Sequence, residues 1–229
     1  MSNFGDIYEP STRTAWEDWD DVLITETFPE RLSLQTPLHL PKEIRTFLLL
    51  EGRYLYNYVQ AQSEHLELVN SIPEVNLLLY RTKANNTYIC TLKDYNLVQS
   101  SEIVELLKDY INMSVDVITI VMKPLSEYQI SQFITKDYVI KCLVTSKQKS
   151  KCISSISDLE QPNMIAGVTA GALCWREIID KPATALVCYV DQPEEQNICE
   201  LQDLFKKFDM SPLMKTVKKS NVLNSNLYI

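Results

Sequence analysis

Glycine is scarce in this chain, four residues in 229, and histidine is scarcer at two. Backbone cradles for phosphate need glycine at fixed spacing, because only a residue without a Cβ lets the main chain turn closely around an anion. Gly5, Gly52, Gly167 and Gly171 make up no GxGxxG, no GxxxxGK[ST] and no GxSxG. Dinucleotide binding, P-loop hydrolysis and the serine-hydrolase elbow therefore have no sequence support. His39 and His65 belong to no metal-ligand or nucleophile motif, so both are expected on the surface or in loops rather than as general bases. Among the six cysteines, Cys90, Cys142, Cys152, Cys174, Cys188 and Cys199, no CxxC pair occurs. Several sit in apolar runs such as Leu186-Val187-Cys188-Tyr189, the setting of a reduced core thiol, so neither a disulfide nor a metal site is expected.

Long apolar runs are missing as well. Thr46-Phe47-Leu48-Leu49-Leu50 is stopped at once by Glu51 and Gly52, well short of the roughly 20 residues a membrane-crossing helix needs. The start, Met1-Ser2-Asn3-Phe4-Gly5-Asp6, has no basic stretch leading into an apolar one, and Gly5 is not placed for myristoylation. The expectation is a protein without membrane contact, cytoplasmic and with access to the nucleus. In those compartments the sequons Asn85-Asn86-Thr87 and Asn112-Met113-Ser114 are coincidental.

What is present is an ordinary globular balance, 45% hydrophobic and 23% charged residues, enough for a sizeable core without cross-links. The net charge of -8 is unevenly placed. Residues 1–30 carry Asp6, Glu9, Glu17, Asp18, Asp20, Asp21, Glu26 and Glu30 against Arg13 alone, together with Trp16 and Trp19. Such a segment reads as an unstructured acidic arm. The other end is basic, with Lys206, Lys207, Lys215, Lys218 and Lys219 against Asp209. Without interleaved arginine or aromatic stacking residues this reads as a solvated tail, and nucleic-acid binding is not expected.

Between these ends, strand-length apolar runs alternate with segments of helical spacing, the pattern of an α/β fold with a mainly buried sheet. Strands are expected at 46–50, 76–81, 87–92, 115–122, 138–145 and 184–190. Lys83-Ala84-Asn85-Asn86 reads as a hairpin turn, which makes one strand pair antiparallel and the sheet mixed. A helix is expected from Ser101 as its cap, burying Ile103, Leu106, Leu107, Tyr110 and Ile111. A second is expected from about Pro162, with Met164, Val168, Ala172, Trp175 and Ile179 on one side and Gly167 and Gly171 allowing another backbone to approach. A third, over 194–209, carries Ile198, Leu201, Phe205 and Phe208 on one stripe and leads into an uncharged mobile tail, 220–229. One domain is expected over 31–219.

Catalytic residues do not suggest themselves. Asp158 and Glu160, ahead of the second helix, read as compensation for its dipole, and no catalytic, cofactor-binding or metal role is assigned. The positive signal is Leu227-Tyr228-Ile229. An aliphatic anchor, an aromatic ring with a hydroxyl and a carboxylate at a mobile end can fill a narrow pocket that supplies apolar walls and a lysine.

Two stretches resemble the proteasome assembly chaperones of the kind numbered 1. One is Leu159-Glu160-Gln161-Pro162-Asn163, followed by the alanine-rich helix and Ala185-Leu186-Val187-Cys188-Tyr189-Val190-Asp191. The other is Ser225-Asn226-Leu227-Tyr228-Ile229. The resemblance implies a three-layer α/β fold with a central mixed sheet, no enzymatic activity and no cofactor. It also implies a heterodimer with proteasome assembly chaperone 2 that sits on the outer face of the proteasome α-ring, promotes ring assembly and prevents off-pathway ring pairing. Leu227, Tyr228 and Ile229 would then enter pockets between α subunits. The chain differs from vertebrate members in being shorter, with a compact middle over 123–156, and in its acidic arm. Two other readings stay open: an enzyme on a phosphorylase-like α/β scaffold, and an adaptor acting through residues 1–30.

Overall fold

The computed structural model describes residues 31–37, 41, 43–61, 63–82, 86–130, 138–148 and 156–190. The acidic arm, the expected helix 194–209 and the tail 220–229 lie outside the described residues. Among these residues eight strands form one sheet: β1 (Ile44–Glu51), β2 (Leu66–Ile72), β3 (Leu77–Thr82), β4 (Thr87–Leu92), β5 (Ser114–Pro124), β6 (Tyr138–Val144), β7 (Ser157–Asp158) and β8 (Ala183–Val190). Among the described residues three α-helices accompany them, α1 (Arg53–Gln60), α2 (Ser100–Met113) and α3 (Gly167–Ile178).

The strand order is β2-β3-β4-β1-β5-β8-β6-β7. β4, β1, β5 and β8 run parallel in the middle, while β3 pairs antiparallel with β4 and β6 antiparallel with β8. The sheet is therefore mixed, and the antiparallel β3–β4 pair stands where a hairpin was expected. Parallel strands have both faces covered and so need apolar residues at successive positions rather than at alternate ones. β8, Ala-Thr-Ala-Leu-Val-Cys-Tyr-Val, is buried at every position.

Alternation along β1 divides the core in two. Phe47 and Leu49 point to one face and pack with Ile103, Leu107, Tyr110, Val168 and Ala172 of α2 and α3. Leu48 and Leu50 point to the other, with Leu55, Tyr58 and Val59 of α1. Helices on both faces of a central mixed sheet make the three-layer α/β arrangement.

Three elements were not foreseen: β2, β7 and α1. Two helix starts also differ from expectation. Ser101 does not cap α2. Asn96 does the capping one turn earlier, accepting from Val98 N at 3.1 Å while the Gln99 side chain accepts from Asn96 N at 3.3 Å, on a 3₁₀ turn that runs into α2. The second helix begins at Gly167 rather than near Pro162, which sits in a turn after a cis peptide bond. Met164 is consequently exposed instead of joining the helix stripe. Gly171 does allow close approach, but of a side chain rather than a backbone: a Cβ there would lie 2.8 Å from Cγ2 of Val104 on α2.

Arg176 of α3 is the largest fully buried side chain. Its guanidinium donates to the carbonyls of Ile111 (3.0 Å) and Ser114 (2.9 Å), of Val115 (2.7 Å), and of Pro182 through both Nε (3.1 Å) and Nη2 (2.8 Å). It thus ties the end of α2, the start of β5 and the entry to β8 to one helix. Burial pulls its pKa down to about 10, so it remains a cation at neutral pH. All these elements belong to the unit Leu32–Ile229, while Met1–Arg31 is a unit of its own.

Candidate functional site

Parallel strands in α/β proteins hold ligands at their carboxyl ends, where helix N-termini supply unpaired N–H groups and a positive dipole end. β4, β1, β5 and β8 end together at such an edge, and α3 starts there. α3 has no capping side chain of its own, since Ala166 stands at its N-cap. Two distant side chains do that work. Glu51, the last residue of β1, accepts from Thr169 N at 2.9 Å and from the Tyr95 hydroxyl. Tyr95 in turn accepts from Val168 N at 2.9 Å. A carboxylate of the protein itself therefore occupies the place an anionic ligand takes at a helix N-terminus.

Gly167 makes that arrangement possible. Its φ of 73° is a left-handed conformation, and a Cβ on it would collide with the Tyr95 hydroxyl and lie 2.7 Å from Glu51 Oε1. Burial first, and then the hydrogen bond to Glu51, push the Tyr95 phenol far above its ordinary range. It is a neutral donor and acceptor throughout the physiological range.

A second cluster fastens the loop that leads to α3. Asp158 and Glu160 were expected to act on the helix dipole, but the helix starts later and both have other partners. Glu160 accepts from the Tyr128 hydroxyl and pairs with Lys141 Nζ at 2.8 Å. Asp158 Oδ1 lies 3.6 Å from Cys142 Sγ. The Asn163 side chain donates to the carbonyls of Gln129 (2.8 Å) and Glu160 (3.0 Å) and accepts from Gln129 N (2.9 Å). Leu159 N donates to Cys142 O at 2.7 Å. The stretch 159–163 is thus a fastening between the segment after β5 and the middle of β6, on the approach to α3. For Glu160 burial alone would raise the pKa, but its bonds to Lys141 and Tyr128 prevail and hold it below the ordinary carboxylate value. For Lys141 burial acts downward, and the same partners prevail in raising it.

The same edge of the sheet exposes apolar side chains: Leu97 and Val98 after β4, Ile130 after β5 and Met164 before α3. This edge thus combines a polar centre filled by the protein's own side chains with exposed apolar residues in the segments that follow β4 and β5 and precede α3. Among the described residues, no three His, Cys, Asp or Glu side chains are grouped to hold a metal ion, and no helix is long and apolar enough to cross a membrane.

Leu227, Tyr228 and Ile229 lie outside the described residues, as do His39, Cys152 and Cys199. His65 stands in a 3₁₀ turn, Ser63–His65. Cys90, Cys142 and Cys188 are buried free thiols as expected, whereas Cys174 is exposed. Glu51 and Tyr95 had not been singled out. Glu51 was visible only as the charge that ends an apolar strand, and no spacing rule links it to a helix 118 residues further on.

No protein-family model matches the chain, and no curated protein matches it. Its three-layer fold is nevertheless found among solved structures. PbaA of Pyrococcus furiosus, an archaeal homolog of proteasome-assembly chaperone, superposes in its monoclinic form with a TM-score of 0.58 at 13% identity, over 85% of this chain and 86% of that one. A second crystal structure of PbaA gives 0.53 at 17% identity, over 80% and 90%. A Thermoplasma acidophilum protein of unknown function gives 0.54 at 12%, over 77% and 80%. The likeness is one of fold, and it extends over most of both chains.

Proposed function

We propose that this chain is a proteasome assembly chaperone of the kind numbered 1, acting without enzymatic activity or cofactor in the cytoplasm and nucleus. The observation that carries the reading is the fold shared with PbaA over 80–85% of the chain. In this reading the chain pairs with proteasome assembly chaperone 2, and the heterodimer lies on the outer face of the α-ring, promotes ring assembly and prevents off-pathway ring pairing. Leu227, Tyr228 and Ile229 enter a pocket between α subunits, the carboxylate meeting a lysine. The filled strand edge supports this over the enzyme alternative, because Glu51 and Tyr95 already occupy the position at α3 that a small anionic substrate would take.

The test is binding of the purified heterodimer to α-rings with and without residues 227–229. Removal of the triplet is expected to weaken binding while thermal unfolding stays unchanged. Tyr228→Ala alone is expected to lose about 1–3 kcal/mol, roughly 5- to 150-fold in affinity, the range of an aromatic hot spot. Equal affinity of the full and truncated chains would remove the pocket role.

A further inference from the structure

β7 is two residues long, Ser157–Asp158, and lies at one end of the strand order with both residues exposed. It pairs with β6 in parallel register, Ser157 against Lys141 and Asp158 against Cys142. Residues paired across neighbouring strands put their side chains on the same face, about 5 Å apart at their bases, and successive pairs alternate between faces. The second pair shows this directly, Asp158 Oδ1 standing 3.6 Å from Cys142 Sγ. Ser157 and Lys141 therefore share the other face. There Lys141 Nζ meets Glu160 Oε2 at 2.8 Å and lies 5.6 Å from the centre of the Tyr128 ring, whose hydroxyl also donates to Glu160. In sequence, Ser157-Asp158-Leu159-Glu160 places a carboxylate at the first and third positions after the hydroxyl, and no other serine or threonine of the chain has both. A protein kinase with a basic substrate cleft selects such a hydroxyl by charge complementarity. An edge strand held by two paired residues opens at small cost, which gives the kinase the extended segment it needs.

We propose that Ser157 is a phosphorylation site for an acid-directed serine kinase, and that its phosphate takes Lys141 away from Glu160. The kinase transfers the γ-phosphoryl group of ATP. The bond from the γ-phosphorus to the oxygen bridging to the β-phosphate breaks, a bond from Ser157 Oγ to that phosphorus forms, the hydroxyl proton passes to the general base of the kinase, and ADP leaves. The phosphate carries about -1.5 to -2 charge at pH 7 and three strong acceptor oxygens, so across from Lys141 it makes a stronger charge-assisted pair than a carboxylate does. Glu160 then loses its cation and faces a like charge on the same side. Its carboxylate is one of the ties on 159–163, while Asn163 keeps its bonds to Gln129 and to Glu160 O. The stretch that leads into α3 is thereby loosened without being freed.

The purified full-length chain, treated with casein kinase II and Mg–ATP, tests both parts without any proteasome component. Fragment-ion mass spectrometry is expected to place the phosphate on Ser157, and Ser157→Ala is expected to lose it. Amide hydrogen exchange over 158–161 is expected to run about five-fold faster in the phosphorylated chain, the effect of losing a half-buried ion pair. Lys141→Met should exchange at the faster rate before treatment and change by less than about two-fold on phosphorylation. No phosphate on Ser157 would overturn the site. Unchanged exchange in the phosphorylated chain, or a Lys141→Met chain that responds as strongly as wild type, would overturn the capture of Lys141. Should Lys141→Met fail to fold, Glu160→Gln decides in its place: it has already given up the ion pair, the same insensitivity to phosphorylation is expected of it, and a full response would contradict the proposal.

Discussion

Replacing Arg176 by alanine tests how α3 is joined to the end of α2, the start of β5 and the entry to β8. Five hydrogen bonds from this guanidinium end on four carbonyls and none on a carboxylate. Its removal leaves those acceptors short in a site that water does not reach, at about 1–3 kcal/mol for each that finds no substitute. Two effects reduce the sum. Ile111 O keeps the backbone N–H of Ser114, and the folded protein no longer has to desolvate a cation. A net loss of about 3–5 kcal/mol follows, typical of breaking a buried charged network. At about 2–4 °C per kcal/mol for a chain of this size, the melting temperature should fall by roughly 6–20 °C. Lysine keeps the charge but concentrates its donors at one point and cannot span carbonyls from three elements, so Arg176→Lys is expected between wild type and alanine. Thermal unfolding followed by circular dichroism reads all three proteins. An alanine variant within about 0.5 kcal/mol of wild type, or a lysine variant equal to it, would refute the role assigned to the fork of donors.

Other expectations follow from the strand edge and its fastening. Gly167→Ala combines a left-handed φ with a collision at Tyr95, and should cost about 2–4 kcal/mol in chemical denaturation; a loss under 1 kcal/mol would mean that the Glu51–Tyr95 cap yields easily. The Lys141–Glu160 pair should contribute in full at neutral pH. Because the folded pKa of Glu160 is lowered, its share is present above the unfolded carboxylate value, about 4.3, and fades as pH falls through the folded one. Because that of Lys141 is raised, its share is present below about 10.4 and fades as pH rises past the folded value. Lys141→Met should flatten both limbs of the stability–pH curve, and a curve of unchanged shape would show that the pair is not the cause.

Most of the sheet was legible because its central strands obey a simple rule. β1, β5 and β8 are buried on both faces and so carry unbroken apolar runs such as Phe47-Leu48-Leu49-Leu50. β2 escaped notice because it lies at an edge and mixes Glu67, Asn70 and Ser71 into its run; Asn70 and Ser71 bond to Thr36 and Gln35. α1 has only eight residues and three tyrosines, a poor helix by local propensity that burial of Leu55, Tyr56, Tyr58 and Val59 sustains. The start of α3 was misplaced for a related reason. Proline at N1 is a local rule, whereas Gly167 begins the helix because Glu51 and Tyr95 reach it from other parts of the chain. Glu160 likewise looked like a dipole partner in sequence and is a partner of Tyr128 and Lys141 in space. Long-range hydrogen bonds leave no periodic trace, so the centre at the strand edge became visible only in three dimensions.

The most direct measurement of the proposed chaperone role is recovery of the tagged full-length chain from its own cells, beside the same chain lacking residues 227–229, with bound proteins identified by mass spectrometry. The proposed chaperone role predicts proteasome α subunits together with one related small chaperone on the full chain, and the same small chaperone with fewer α subunits on the truncated one. Absence of proteasome subunits from both would contradict it.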